Sequence, residues 1–567
     1  MYKRWLFHST PDAQAIASMA AAIGVNPTIA SLLVQKEITS FDQAKAYFRP
    51  SLAALHNPWA MKDMDKAVQR LSKALQKQEP ILVYGDYDVD GVTSVAMFYG
   101  FIKNLHDAVQ FYIPDRYTEG YGLSQQAVNW AIKTGFKLII TLDCGIKAVN
   151  CIQQAQAAGI DVIVCDHHEA GEVLPPAYAI LDPKQPGCSY PFQSLSGCGV
   201  GFKLLQALCI QAHLSIDRLY SYLDLVAISI ACDLVPMVDE NRILTYHGLA
   251  QLNTQPRPGI QAIIQTAGLT PPLNSTQLVF SIGPRLNAAG RIAHGNLAVD
   301  LLLSEDSVTA NQLAHNLNQK NDLRKCLDSN ITEEALDMIQ SSPQLAQAKS
   351  TVLFKEDWHK GVIGIVASRC IEQYYRPTII LTASGNKATG SARSVIGFNV
   401  YQAITACADL LDQYGGHAYA AGLTLPLANI AAFQERFEAV VANSIMEDQL
   451  IPTQLIDLPL SLQAINSKFY RVLKQMAPFG NSNMKTVFAS YCVIAKSYHI
   501  LKEEHLKLYV TDQQGSGCIL EAIGFGLAHY ASLVSNQKPF NMAYTIEENH
   551  YQGNQTLQLV IKDLQPL

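Results

Sequence analysis

"ILVYGDYDVDGVTS", residues 81–94, decides how this chain is read. Residues 81–85 form a short apolar run of the kind that fills a buried strand. Aspartates follow at 86, 88 and 90, and then Gly91. A calcium-binding EF-hand loop begins the same way. With Asp86 at loop position 1, Gly91 falls correctly at position 6, but position 12 is Met97, where a bidentate glutamate is required. The segment ahead is a strand rather than a helix. The EF-hand reading fails, and the acids need another purpose.

Outward from this stretch the same texture repeats. "VQFYIP", "KLIITL" and "DVIVC" read as buried strands, and "TSVAMFYGFIKNL", "SQQAVNWAIKTG" and "KAVNCIQQAQAAG" as the helices between them. Such alternation predicts a parallel, doubly wound α/β sheet. Ligands bind such sheets beyond the carboxyl ends of the strands. Asp115 and Arg116 follow "FYIP", Asp143 follows "LIITL", and Asp166, His167 and His168 follow "VIVC". Four successive strands therefore deliver acids or imidazoles to one edge. A single aspartate there is an ordinary turn or N-cap residue. This many together repel one another unless a cation compensates them. Carboxylates with one or two imidazoles suit Mg2+ or Mn2+, the imidazole favouring Mn2+.

At 567 residues the chain is expected to form about three or four domains. Its 49% hydrophobic and 16% charged residues exclude a disordered class. A net charge of −6 argues against a general nucleic-acid coat while leaving room for a local basic groove. Twelve cysteines, with no C-x-x-C pair, point to a reducing cytoplasm. Neither a signal peptide nor a membrane span is expected; "LYSYLDLVAISIACDLVPM", interrupted by Asp224 and Asp233, reads as a buried helix. The expected organisation is a helical region over 1–75, the acidic α/β domain over 76–304, a connecting helix over 305–345, a second α/β domain over 346–448, and a five-stranded barrel of OB type over 449–567.

"GDYDVDG", "LDCG", "CDHHE" and "ACDLVP" resemble, in order, the four motifs of the DHH phosphoesterases. "FSIGPRLNAAGRI", "GSARS" and "GGHAYAAG" narrow the resemblance to the bacterial RecJ exonucleases of single-stranded DNA. The resemblance implies a DHH-type domain joined by a long helix to a DHHA1-type domain, with an OB-fold at the end. It implies metal ligands Asp86, Asp88, Asp90, Asp143, His167 and Asp233, holding two Mn2+ or Mg2+ ions. Relatives with a histidine before their Asp-x-Asp pair match best at Asp88 and Asp90, leaving Asp86 in the histidine's place; which acids meet which ion stays open. His168 is expected to meet the scissile phosphate, with Asp166 and Asp86 also in the catalytic set. The implied reaction is 5′-to-3′ hydrolysis of single strands to 5′-mononucleotides, serving recombination and repair. "GNKATGSA" lacks the lysine of a phosphate-binding loop, so no ATP use is expected.

Guanidinium forks suit a terminal phosphate. Arg116, Arg285, Asn287, Arg291, Ser391, Arg393 and His417 are the candidates, and a cleft between the two α/β domains is expected to exclude duplex. In the tail, "SKFYRVLK" and "YHILKEEHLKLYV" interleave aromatic and basic residues, a pattern suited either to strand binding or to a barrel core with a solvated face. Removing the tail from about 450 is expected to weaken binding of long strands more than cleavage of short ones. By resemblance alone, single-strand-binding protein and a RecQ-type helicase are expected partners of a monomer with no membrane role. A nanoRNase or cyclic-dinucleotide phosphodiesterase of the same superfamily, and a non-catalytic replication scaffold, are the alternatives. The first lacks the long tail and "PRLNAAGR", and the second loses motif carboxylates.

Overall fold

A computed structural model describes residues 3–512, 519–551 and 554–567. The chain divides into two compact units. One comprises Pro50–Cys326 with Pro478–Met484, and the other Met1–Arg49, Leu327–Ala477 and Lys485–Leu567.

The first unit is built on a fully parallel sheet in the order Val109–Tyr112, Ile81–Gly85, Leu138–Leu142, Asp161–Cys165, Ala179–Leu181. Alternate residues serve opposite faces. Ile81, Val83, Leu138, Ile140 and Ile163 pack with the helices Val89–Lys103 and Gly197–Gln211. Leu82, Tyr84, Ile139, Val162 and Val164 pack with Gln125–Thr134 and Val149–Ala157. Burial on both faces explains the unbroken apolar runs. Each aliphatic side chain so buried contributes about 1.5–3 kcal/mol.

From Ile81–Gly85 the chain crosses to Val109–Tyr112 on one side, then returns to Leu138–Leu142 on the other. The carboxyl ends of those two neighbouring strands flank the switch point, where a crevice opens. Asp86 and Asp143 stand there. The strand Ala179–Leu181 was not foreseen, since three residues carry no readable period.

The apolar run near 230 is the buried helix Leu223–Cys232. Its buried Asp224 is held by Arg257, whose Nε and Nη2 each lie 2.7 Å from a carboxylate oxygen. A late segment of chain completes this unit. Arg242 Nη1 donates to Pro478 O at 3.2 Å, Ser275 Oγ to Phe479 O, Met237 N to Asn481 O at 2.7 Å, and Asn481 Nδ2 to Leu234 O at 2.8 Å.

The second unit holds a mixed sheet in the order Gln413–His417, Ala420–Pro426, Lys387–Arg393, Thr378–Ser384, Thr351–Phe354. It also holds a closed barrel. Phe488–Leu501, His505–Thr511, Leu520–Gly524, Asn554–Pro566 and Phe540–Tyr551 pair in turn, and the last returns to pair with the first. Closure removes the exposed edges. The helix Ser307–Ser341 contains the boundary between the units. Among the described residues no single helix is long and apolar enough to cross a membrane.

Three expectations need correction. Arg4–Phe7 is a strand rather than part of a helical region, paired in parallel with Thr453–Ile456. "SKFYRVLK" lies in the helix Ser467–Gln475, whose Phe469 is buried with its ring 5.9 Å from that of Phe488, so this aromatic is core. On His505–Thr511, Leu506, Leu508 and Val510 fill the barrel while Lys507 meets Glu521 at 3.0 Å. The exposed part of "YHILKEEHLKLYV" is its beginning, 498–504, which carries Tyr498 and His499.

Candidate active site

Asp88 caps the helix Val89–Lys103, its Oδ1 accepting from Gly91 N at 3.1 Å. Helix geometry then sets Asp90 within the first turn, turned toward the start of Gly197–Gln211. Asp90 Oδ2 accepts from Gly197 N at 2.6 Å, and Oδ1 accepts from Cys198 N at 2.9 Å and Ser229 Oγ at 2.7 Å. Asp86 accepts from Tyr87 N at 2.7 Å and Gly122 N at 2.6 Å. Each motif-one carboxylate is thus aimed by backbone donors.

Asp143 takes a left-handed backbone conformation, φ 59°, immediately after its strand. Its Oδ1 lies 3.1 Å from His167 Nε2, and its Oδ2 is buried with no hydrogen-bond partner. Asp233 closes the helix Leu223–Cys232 as its C-cap. His167 Nε2 collects all of these, with Asp90 Oδ2 at 3.7 Å and Asp233 Oδ2 at 3.6 Å. Among the described residues two ligand groups emerge, Asp90–His167–Asp233 and Asp143–His167–His168.

The electrostatics follow from this crowding. Burial, then repulsion from Asp88, pushes the Asp86 carboxyl up to about 8. Burial, then Asp90 and Asp88, pushes Asp233 up to about 9. Asp143 is raised well above the carboxylate range by burial and its acidic neighbours, and Asp88 is raised chiefly by burial. Burial lowers His167, favouring the neutral imidazole a metal needs. The buried, unpartnered Asp143 Oδ2 and the converging carboxylates fit a divalent cation.

Asp166 behaves differently. Burial works against its charge, but His168 and backbone donors prevail and hold it down to about 2. Its Oδ1 accepts from His168 Nδ1 at 2.7 Å and from His167 N at 2.7 Å, and its Oδ2 from Ile146 N at 2.9 Å. In return, and against burial, Asp166 raises His168 to about 9. Asp166 therefore orients His168, turning its Nε2 outward. There Tyr121 Oη lies 3.4 Å away.

Asp115 leaves the constellation. Its Oδ1 accepts from Tyr117 N at 2.9 Å and from Thr118 N at 2.8 Å, an ordinary turn-former. Beside it, Arg116 lies 4.7 Å over the Tyr87 ring and favours the charged forms of Asp86 and Asp88. The helix Gly283–Ile292 carries the other arginines. Asn287 and Arg291, one turn apart, share a face. Arg285 points elsewhere, donating to Asn318 Oδ1 at 3.0 Å and Ser281 O at 2.8 Å. The small residues of "PRLNAAGR" have a packing reason: a Cβ at Gly290 would stand 2.5 Å from Tyr87 O. Ser391, Arg393 and His417 belong to the other unit. There Arg393 Nη1 donates to Ser391 Oγ at 3.0 Å, and a Cβ at Gly364 would meet both side chains within 2.9 Å. His417 is exposed, its Nδ1 accepting from Tyr419 N at 3.2 Å, which removes the core alternative.

Reasoning from sequence missed Ser229, Gly197, Gly122 and Tyr121. Only the small-residue clusters "SGCGVG" and "EGYG" hinted at close backbone approach.

Residues 80–230 match the DHH family N-terminal domain, 347–443 the DHHA1 domain and 456–563 the RecJ OB domain. The chain is 37% identical over 558 residues to the single-stranded-DNA-specific exonuclease RecJ of Bacillus subtilis, covering 98% of this chain and 70% of that protein. It is 33% identical over 533 residues to the enzyme of the same name from Escherichia coli, covering 90% and 92%. The fold is similar to the crystal structure of Thermus thermophilus RecJ in complex with Mn2+, with a TM-score of 0.86 and 27% identity over 100% of this chain and 80% of that one. It is also similar to a structure of exonuclease RecJ bound to manganese, with a TM-score of 0.61 and 32% identity over 70% and 98%.

Proposed function

The chain belongs to the RecJ family of single-stranded-DNA-specific exonucleases, and from that premise we propose a metal-dependent hydrolase that degrades single-stranded DNA from its 5′ end, in recombination and repair. The observation that carries this reading is the convergence of Asp143, Asp90 and Asp233 on one imidazole nitrogen of His167, beside the unpartnered Asp143 Oδ2. Asp86, Asp88, Asp90, Asp143, His167 and Asp233 would hold two Mn2+ or Mg2+ ions. When bound, such ions supply Lewis acidity toward the phosphoryl oxygens and acidify water.

The protein's own groups do the rest. Asp166 orients the His168 ring and favours its imidazolium form, which donates from Nε2 to an oxygen of the scissile phosphate. Water adds to phosphorus, and the bond from phosphorus to O3′ of the terminal nucleotide breaks. The attacking water gives up a proton to solvent, the released O3′ takes one up and leaves as a hydroxyl, and the new phosphate stays on the shortened strand. Arg116, Asn287 and Arg291 lie on the same unit as the carboxylates and suit contacts to the DNA backbone. Ser391, Arg393 and His417 are proposed to seize the terminal 5′ phosphate. Single-strand-binding protein and a RecQ-type helicase are proposed partners of a monomeric enzyme.

Digestion of 5′- and 3′-labelled oligonucleotides, single-stranded and blunt duplex, with Mn2+, Mg2+ or EDTA tests the reading. Mononucleotide release from 5′-labelled single strands is expected, with little from duplex and none in EDTA. Label retained on a ladder of long products would show 3′ entry and defeat the polarity.

A further inference from the structure

Tyr121 lies outside every motif that marks the carboxylates, in the loop "EGYG" between the second and third strands to leave the acidic edge. That loop is anchored on both sides of it. Glu119 accepts from Tyr112 Oη at 3.0 Å and Asp115 N at 2.9 Å. Gly122 donates to Asp86 Oδ2 at 2.6 Å, and its carbonyl accepts from Tyr84 Oη at 2.7 Å. Gly120 and Gly122 both have φ 86°, a conformation that favours glycine. The backbone thereby turns sharply before and after Tyr121, and the side chain stands out from the wall, 52% exposed.

Its ring is steadied edge-on by Tyr87 and by His168, each with centroids 5.9 Å away. Its hydroxyl is not committed. Asp143 O and His168 Nε2 are its neighbours, both at 3.4 Å. Good O–H···O bonds are about 2.7–2.8 Å long. Tyr84 and Tyr190, by contrast, donate at 2.7 Å to Gly122 O and at 2.5 Å to Glu240 Oε2. Hydrogen bonds of catalytic groups are often long before substrate is bound and tighten in its complex.

We infer that Tyr121 is a further catalytic residue, whose hydroxyl donates to the same phosphoryl oxygen that His168 meets. An oxygen placed between Tyr121 Oη and His168 Nε2 accepts from both. Negative charge grows on that oxygen as water attacks phosphorus, so a donor already oriented there stabilises the transition state more than the bound substrate. The hydrogen stays on Oη throughout; no proton is transferred by this residue. The inference rests on the proposed phosphodiester hydrolysis.

The test compares full-length wild type, Tyr121→Phe and Tyr121→Ala on a 5′-phosphorylated single strand with Mn2+. Mn2+ affinity is measured separately by calorimetry without DNA. Phe keeps the ring packing and removes only the donor. The expected result for Tyr121→Phe is kcat lower by about 10²–10³-fold, as for loss of one oriented donor, with KM within about twofold and Mn2+ affinity unchanged. Tyr121→Ala is expected to match that loss in kcat and also to raise KM. Wild-type kcat in the Phe variant overturns the inference alone, and so does a loss matched by weaker Mn2+ binding. A wild-type protein inert toward the strand overturns the hydrolase reading as well.

Discussion

At the scale of single residues, Asp143 joins two demands that seldom meet. Its backbone is left-handed, φ 59°, and its carboxyl is pressed by burial and by Asp90, Asp88, Asp233 and Asp166. Asparagine is among the few residues that accept that backbone readily. Asp143→Asn should therefore fold, abolish hydrolysis and raise the melting temperature of the chelator-treated protein by a few degrees, because the cost of burying that carboxyl among its acidic neighbours is gone. Paired activity assays and thermal scans in EDTA check this; an unchanged or lower melting temperature would show that repulsion is not what the cluster stores. The acids themselves were legible because strand ends collect them at fixed steps along the sequence. Their aiming groups were not. Ser229 and Gly197 reach Asp90 from 139 and 107 positions away, and no local pattern announces such a meeting.

At the scale of elements, the parallel strands were readable because burial on both faces leaves no polar interruption in "LIITL" or "VIVC". Arg4–Phe7 was not readable. Its partner, Thr453–Ile456, lies more than four hundred residues on, and nothing in "RWLF" reveals that pairing. The barrel strands were found, yet the aromatic–basic pattern misled in part, since Phe469 went to the core while Tyr498 stayed outside. Tyr498 on the exposed end of its strand is the better stacking candidate. Stacking of a base is worth about 1–3 kcal/mol. Tyr498→Ala should weaken binding of a long single strand by about 5- to 150-fold, with cleavage of very short strands nearly unaffected. Fluorescence anisotropy with the two lengths checks it, and equal losses would place Tyr498 elsewhere in the cycle.

At the scale of the whole molecule, the crowded carboxyls make stability depend on pH. Asp86 near 8 and Asp233 near 9 are raised from an ordinary 3.8, and His168 near 9 is raised from 6.5. A group whose folded value is raised binds its proton more tightly in the folded chain. For the carboxyls the stability so gained is complete below pH 3.8, declines above it, and is lost once pH has risen through 8 to 9. In EDTA, melting temperature should fall steadily between about pH 5 and 9. Saturating Mn2+ should flatten that slope, and thermal scans across the range measure both. The segment Pro478–Met484 carries a consequence of another kind. It is made late by the ribosome, yet Asn481 ties down the carbonyl of Leu234, the residue after Asp233. A chain still being translated, or one cut short by a frameshift before residue 478, has all its acids and lacks the strap beside one of them. The turn that follows Asp233 is therefore held by a residue 247 positions further along the chain, and a copy that stops short of it keeps the carboxylates but not that hydrogen bond.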